Sequence, residues 1–234
     1  MLTTISRAFV LVVAGIVFGF ILRAHTISKS SGRCIAKTCF GHFTGSREAD
    51  CAVLIEPVKG LTDSNYIALF RQQGTHRTLL WKSPPAPVWD IFLADIDGDG
   101  YDELAVCFFK SEPHDPKKDN RLQIFSWKND AIHARWRGTF LSKPFERIAF
   151  GDVTGDGAEE LISIERGRRN PGRVFLCVYC WNGFGFDLLT ETEIESIPDN
   201  VSAAPDTHAE IALKFHNSTV HYLLSDKTLT IGGR

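Results

Sequence analysis

The chain lacks the short signatures of the commonest enzyme classes. Its 234 residues contain no nucleophile elbow, no phosphate loop and no dinucleotide-binding glycine fingerprint, so serine-elbow hydrolysis, nucleoside triphosphate binding and nicotinamide chemistry have no anchor here. It also lacks an excess of positive charge. With 26 basic and 28 acidic residues the formal net charge is −2, which offers no global attraction to nucleic acid. The eight histidines are scattered, and His114 and His133 have no metal-ligand partners at useful spacing. Six cysteines do not form a recognisable framework. Cys51, Cys107, Cys177 and Cys180 fall in expected strands, where cysteine serves as a small apolar filler. The Cys177/Cys180 spacing is odd, so in a strand the two side chains point to opposite faces and make a poor redox or zinc pair. Cys34 and Cys39 are candidates for a bridge in an oxidising compartment.

What is present is a pair of acidic, glycine-punctuated loops. The first reads Asp95-Ile-Asp-Gly-Asp-Gly-Tyr-Asp-Glu103-Leu104 and the second Asp152-Val-Thr-Gly-Asp-Gly-Ala-Glu-Glu160-Leu161. Calcium requires about six to eight oxygen ligands, so a short loop must aim several oxygens inward while its backbone turns sharply. The expected ligands of the first loop are the side chains of Asp95, Asp97, Asp99 and Glu103, at positions 1, 3, 5 and 9, with the carbonyl of Tyr101. Gly100 is expected at positive φ. The second loop offers Asp152, Thr154, Asp156 and Glu160 with the carbonyl of Ala158. Having one carboxylate fewer, it is expected to bind more weakly. An EF-hand is excluded by its closing position: position 12 is Val106 in one loop and Ser163 in the other, where a bidentate glutamate is required. The apolar runs that follow read as short buried strands, not helices.

The loops recur within a longer period of about 55 residues. Residues 41–53 align with them but carry His42, Ser46 and Glu48 at positions needed for ligands and glycine, and a fainter copy covers residues 204–214. A second landmark repeats independently. The run from Ile67 to Phe70 precedes Trp81 as the run from Leu122 to Phe125 precedes Trp136, with Thr190 replacing the tryptophan in the next unit. Each unit reads as four strands, the clearest at 88–94, 103–110, 121–127 and 132–137. Four units fill residues 33–234, which predicts an all-β chain: a small β-propeller of about four four-stranded blades. Its strands are packed on both faces, hence the near-continuous apolar runs.

The Asp-x-Asp-Gly-Asp-Gly-x-x-Glu-Leu loop following an apolar strand resembles the FG-GAP repeats of integrin α-subunit propellers and the related VCBS repeats. That resemblance extends over two good and two degraded copies and implies a calcium-stabilised propeller. This chain departs from the pattern in having glutamate at 103 and 160, where aspartate is usual, and in lacking most of the other family signatures. An integrin-like partner is therefore not implied.

Residues 8–22 are fifteen uncharged, mostly apolar positions between Arg7 and Arg23. Such a run is a signal-peptide core or a short transmembrane helix, and with no prompt small-x-small cleavage site an uncleaved signal anchor is expected. Arg23, Lys29, Arg33 and Lys37 after the run would favour a cytoplasmic propeller. Extracellular calcium modules, however, bind at about 10⁻⁴ to 10⁻³ M and need abundant calcium, so the propeller is expected outside the cytoplasm, membrane-tethered through residues 1–32. Asn200 and Asn217 head glycosylation sequons.

The function expected is a non-enzymatic binding or scaffolding module for a protein or glycan partner. The alternatives are a passive subunit of a larger envelope complex and a propeller-framed polysaccharide lyase or esterase, since the fold alone decides no function. Residues 110–121 and 165–173 are expected as loops on the rim opposite the acidic ones. They carry Lys117, Lys118, Arg121, Arg166, Arg168, Arg169 and Arg173, a candidate basic face for an acidic partner.

Overall fold

The computed structural model of the chain describes residues 33–232 apart from 47, 58–63, 75, 139–140 and 205–208. The described residues form sixteen strands, grouped as four antiparallel meanders that make a four-bladed β-propeller. Blade 1 contains β1 (Arg33–Gly41), β2 (Asp50–Pro57), β3 (Tyr66–Gln73) and β4 (His76–Lys82). Blade 2 contains β5 (Val88–Ala94), β6 (Glu103–Glu112), β7 (Asp115–Lys128) and β8 (Ala131–Trp136). Blade 3 contains β9 (Phe145–Gly151), β10 (Glu160–Arg166), β11 (Val174–Trp181) and β12 (Phe186–Ile194). Blade 4 contains β13 (Asn200–Ala203), β14 (Glu210–Phe215), β15 (Ser218–Ser225) and β16 (Thr228–Ile231). The first strands of consecutive blades pack on one another, β1 on β5, β5 on β9 and β9 on β13.

The repeat landmarks occupy equivalent places. Trp81 pairs with Leu69, Trp136 with Ile124 and Thr190 with Val178, each beside a β-bulge between the third and fourth strands. The continuous apolar runs arise because alternate side chains serve different seams. In β6, Leu104 and Val106 pack towards blade 1, whereas Ala105 and Cys107 pack towards blade 3. In β10, Leu161 joins the blade 2 seam while Ile162 and Ile164 join the blade 4 seam. Blades 3 and 4 approach closely enough at one point to need a small residue. A Cβ on Gly151 would lie 2.3 Å from that of Ala203 on β13. Apolar seams thus join blades 1 and 2, 2 and 3, and 3 and 4. Among the described residues no such seam joins blade 4 to blade 1, and the outward face of β15 carries His221, paired with Glu210, and the exposed Leu223.

Two expectations need correction. The third strand of blade 2 begins at Asp115, so the segment expected as a loop from 110 to 121 is mostly hairpin. Most arginines of the expected basic face have intramolecular partners, while Lys117, Lys118 and Arg169 are exposed. Arg121 is fully buried and donates to Asp115 Oδ2 at 2.6 Å and to the Lys117 carbonyl at 3.2 Å. Arg166 pairs with Glu146, Arg173 grips Glu193 through two hydrogen bonds, and Arg168 donates to the Ser142 carbonyl at 2.8 Å. Cys34 and Cys39, both on β1, are free thiols. The expected membrane segment at 8–22 lies outside the described residues, among which no helix is long and apolar enough to cross a membrane.

Candidate metal centre

Both acidic loops connect the first and second strands of their blades, β5 to β6 and β9 to β10, on one rim of the propeller. Their flanks are strands, as the exclusion of an EF-hand requires. The first aspartate of each loop accepts two backbone amides, of which only the one five residues on is common to both. Asp95 accepts from the Asp99 and Gly100 amides at 3.1 and 2.8 Å, and Asp152 from the Gly155 and Gly157 amides at 2.6 and 3.1 Å. Asp99 and Asp156 each accept from the amide two residues on, of Tyr101 and Ala158, at 2.9 Å. Gly100 and Gly157 take φ of 86° and 92°, the left-handed region that a side chain resists.

Carboxylate oxygens of Asp95, Asp97 and Asp99 lie within 4.8 Å of one another. Oxygens bound at about 2.3–2.6 Å to one ion can be at most roughly 5 Å apart, so these three fit a single calcium-sized cation. Their exposure leaves room for water to complete the shell. In the second loop Asp152 and Asp156 hold the same places, but the Thr154 hydroxyl is engaged with Glu160 Oε1 at 3.1 Å.

The ninth position behaves differently from a freely presented ligand. Glu103 and Glu160 are buried, at 3% and 2% exposure, and turn into their own loops. Glu160 Oε2 accepts from the Val153 and Thr154 amides at 2.9 and 3.1 Å, and Glu103 Oε2 from the Ile96 amide at 3.4 Å. Asp50, the equivalent residue of the degraded first copy, accepts from the Thr44 amide at 2.7 Å. This acid therefore staples the loop in three blades, with or without the remaining ligand set. Burial pushes the Glu103 carboxyl up to about 7, with Arg135 pulling it down and Asp97 adding to the rise. The Arg135 guanidinium, from β8, donates to both Glu103 and Asp97.

The eighth position has a role that sequence reading did not assign. The Glu159 carboxylate accepts from the Asp95 amide at 2.9 Å, and the Glu159 amide donates to the Asp95 carbonyl at 2.7 Å. Asp102 makes the same reciprocal clasp with His42 one blade earlier. Burial raises both carboxyls, and neighbouring acids add to the rise. The signal was visible as the acidic doublets Asp102-Glu103 and Glu159-Glu160, but their partners are in the preceding unit.

The same rim carries clefts of about 500 Å³, between the Phe43 to Gly45 turn and Tyr101, and about 290 Å³, between Asp97, Asp156 and Trp181. Exposed aromatic side chains stand beside them: Tyr101 in the first loop and Phe184 in the β11–β12 turn. His133 is exposed and its ring lies 3.1 Å from the Lys128 carbonyl. No protein-family model matches this chain, and no curated protein matches it in sequence.

Proposed function

We propose that this propeller is a calcium-stabilised binding or scaffolding module, tethered by its N-terminal apolar segment and displayed outside the cytoplasm. The observation that carries the reading is the convergence of Asp95, Asp97 and Asp99 on a volume suited to one cation. The resemblance of both loops to FG-GAP and VCBS repeats supports calcium as that ion. Asp95, Asp97, Asp99 and the Tyr101 carbonyl would hold it, and Asp152, Asp156 and the Ala158 carbonyl would hold a second. The ion would neutralise clustered carboxylates and stabilise the folded state through its preferential binding to it. The face offered to a protein or glycan is the loop rim, where acidic clefts and the exposed Tyr101 and Phe184 lie together. Aromatic faces beside fixed polar groups suit such recognition.

Thermal unfolding of the full-length chain with calcium and with a chelator tests the reading. An ion at about a hundred times its dissociation constant adds about 2.7 kcal/mol, which for a domain of this size shifts melting by roughly 5–10 °C. Coincident curves would remove calcium from the account and leave the propeller.

A further inference from the structure

The bulge between the third and fourth strands leaves one unpaired residue on the outer strand of blades 1, 2 and 3: Leu80, Arg135 and Leu189. Leu80 and Leu189 pack against the apolar seams of their blades. Blade 2 alone among these places a cation at that point. The Arg135 guanidinium, 22% exposed, reaches Glu103 Oε1 through Nη1 and Asp97 Oδ2 through Nη2. Its carbon also lies 5.2 Å from the centre of the Trp181 ring, on the neighbouring blade. It lines both rim clefts. A guanidinium in this position occupies Asp97, one of the carboxylates that would meet a divalent ion, and the buried Glu103 beside it, through charge-assisted hydrogen bonds. A calcium ion and this guanidinium would compete for the same negative charge.

We propose that Arg135 is an intramolecular competitor for the cation at the first loop. This rests on the calcium reading and adds to it a mechanism for setting affinity. In the cation-free protein the guanidinium holds Asp97 and Glu103 together. Loading requires it to leave Asp97, and its departure from the Trp181 ring carries the event to the junction of blades 2 and 3. The first loop would present three carboxylates against two in the second, yet it must release a resident cation before it fills, so carboxylate count alone does not rank the two sites.

The test is calorimetric titration with calcium alone, using the full-length chain in an Asp156→Asn background that silences the second loop. Arg135→Leu installs the residue found in blades 1 and 3. It is expected to bind calcium about tenfold or more tightly than the parent, because the two charge-assisted hydrogen bonds no longer oppose the ion. Equal or weaker binding by Arg135→Leu overturns the proposal and leaves the calcium reading standing. Absence of binding in both proteins overturns the calcium reading itself, and this proposal with it. Should Arg135→Leu fail to fold, Arg135→Gln removes the charge at nearly constant size and is expected to act in the same direction. A separate readout uses the parent alone. Calcium should change its tryptophan emission, and the change should vanish in Trp181→Phe; saturation with unchanged Trp181 emission would overturn the displacement step.

Discussion

Replacing Glu165 by alanine removes the most heavily used buried carboxylate among the described residues. Sequence reading placed this residue at the start of a loop, but it lies in β10 with no exposed surface. Oε1 accepts from the Ser163 hydroxyl at 2.6 Å and the Tyr179 hydroxyl at 2.7 Å. Oε2 accepts from the Ser142 hydroxyl at 3.0 Å and the Lys143 amide at 2.9 Å. It thereby ties the connection between blades 2 and 3 to the middle of blade 3. Alanine leaves four donors without an acceptor, each costing about 1–3 kcal/mol if unrelieved. The serine hydroxyls can rotate to other acceptors, and loss of the carboxylate also ends its own desolvation cost. The net expectation is about 3–5 kcal/mol, or a fall in melting temperature of roughly 6–20 °C for a domain of this length. Glu165→Gln retains one acceptor oxygen but turns an amide donor on its neighbours, and should cost about 1–3 kcal/mol. Tyr179→Phe removes two bonds, the donation to Glu165 and the acceptance from the Ser142 amide at 3.0 Å, and should cost about 1–3 kcal/mol. Urea and thermal unfolding followed by circular dichroism would measure all three. A loss below 1 kcal/mol for Glu165→Ala, or a larger loss for Tyr179→Phe, would refute the view that this carboxylate is the organising group.

Gly151→Val should destabilise by about 1–3 kcal/mol, the usual cost of overpacking, because a Cβ there meets Ala203 at 2.3 Å; unchanged urea unfolding would show that blades 3 and 4 can separate at that point. Burial raises the Cys39 thiol to about 11 and the Cys51 thiol to about 12, so both should alkylate far more slowly at pH 8 than in the unfolded chain. Their rates should rise with pH as thiolate forms, and mass-spectrometric labelling that finds native and unfolded rates equal would contradict this. Arg173→Ala should leave the melting temperature unchanged, because its pair with Glu193 is exposed and screened by solvent.

The sequence by itself determined the unit and its repetition. Alternating oxygens around glycines, apolar runs of strand length and tryptophans offset by 55 residues are local patterns, and local patterns report strand boundaries and register. Trp81, Trp136 and Thr190 accordingly fall at equivalent pairings, and carboxylate oxygens of Asp95, Asp97 and Asp99 lie within 4.8 Å of one another. Tertiary structure alone decided which acids turn towards solvent and which turn into the protein. Glu103 and Glu160 look alike to Asp97 in a string of letters, but a residue that opens a buried strand points its carboxylate at its own loop amides. Arg135 lies 38 residues from Asp97, and Glu159 lies 64 from the Asp95 amide it receives. Contacts at such separation depend on how one twisted sheet is rotated against the next, a quantity set by the packing of whole seams and carried by no short motif. The arginines on the opposite rim followed the same rule: counted along the chain they formed a charged face, and in the fold most of them found carboxylates or carbonyls to hold.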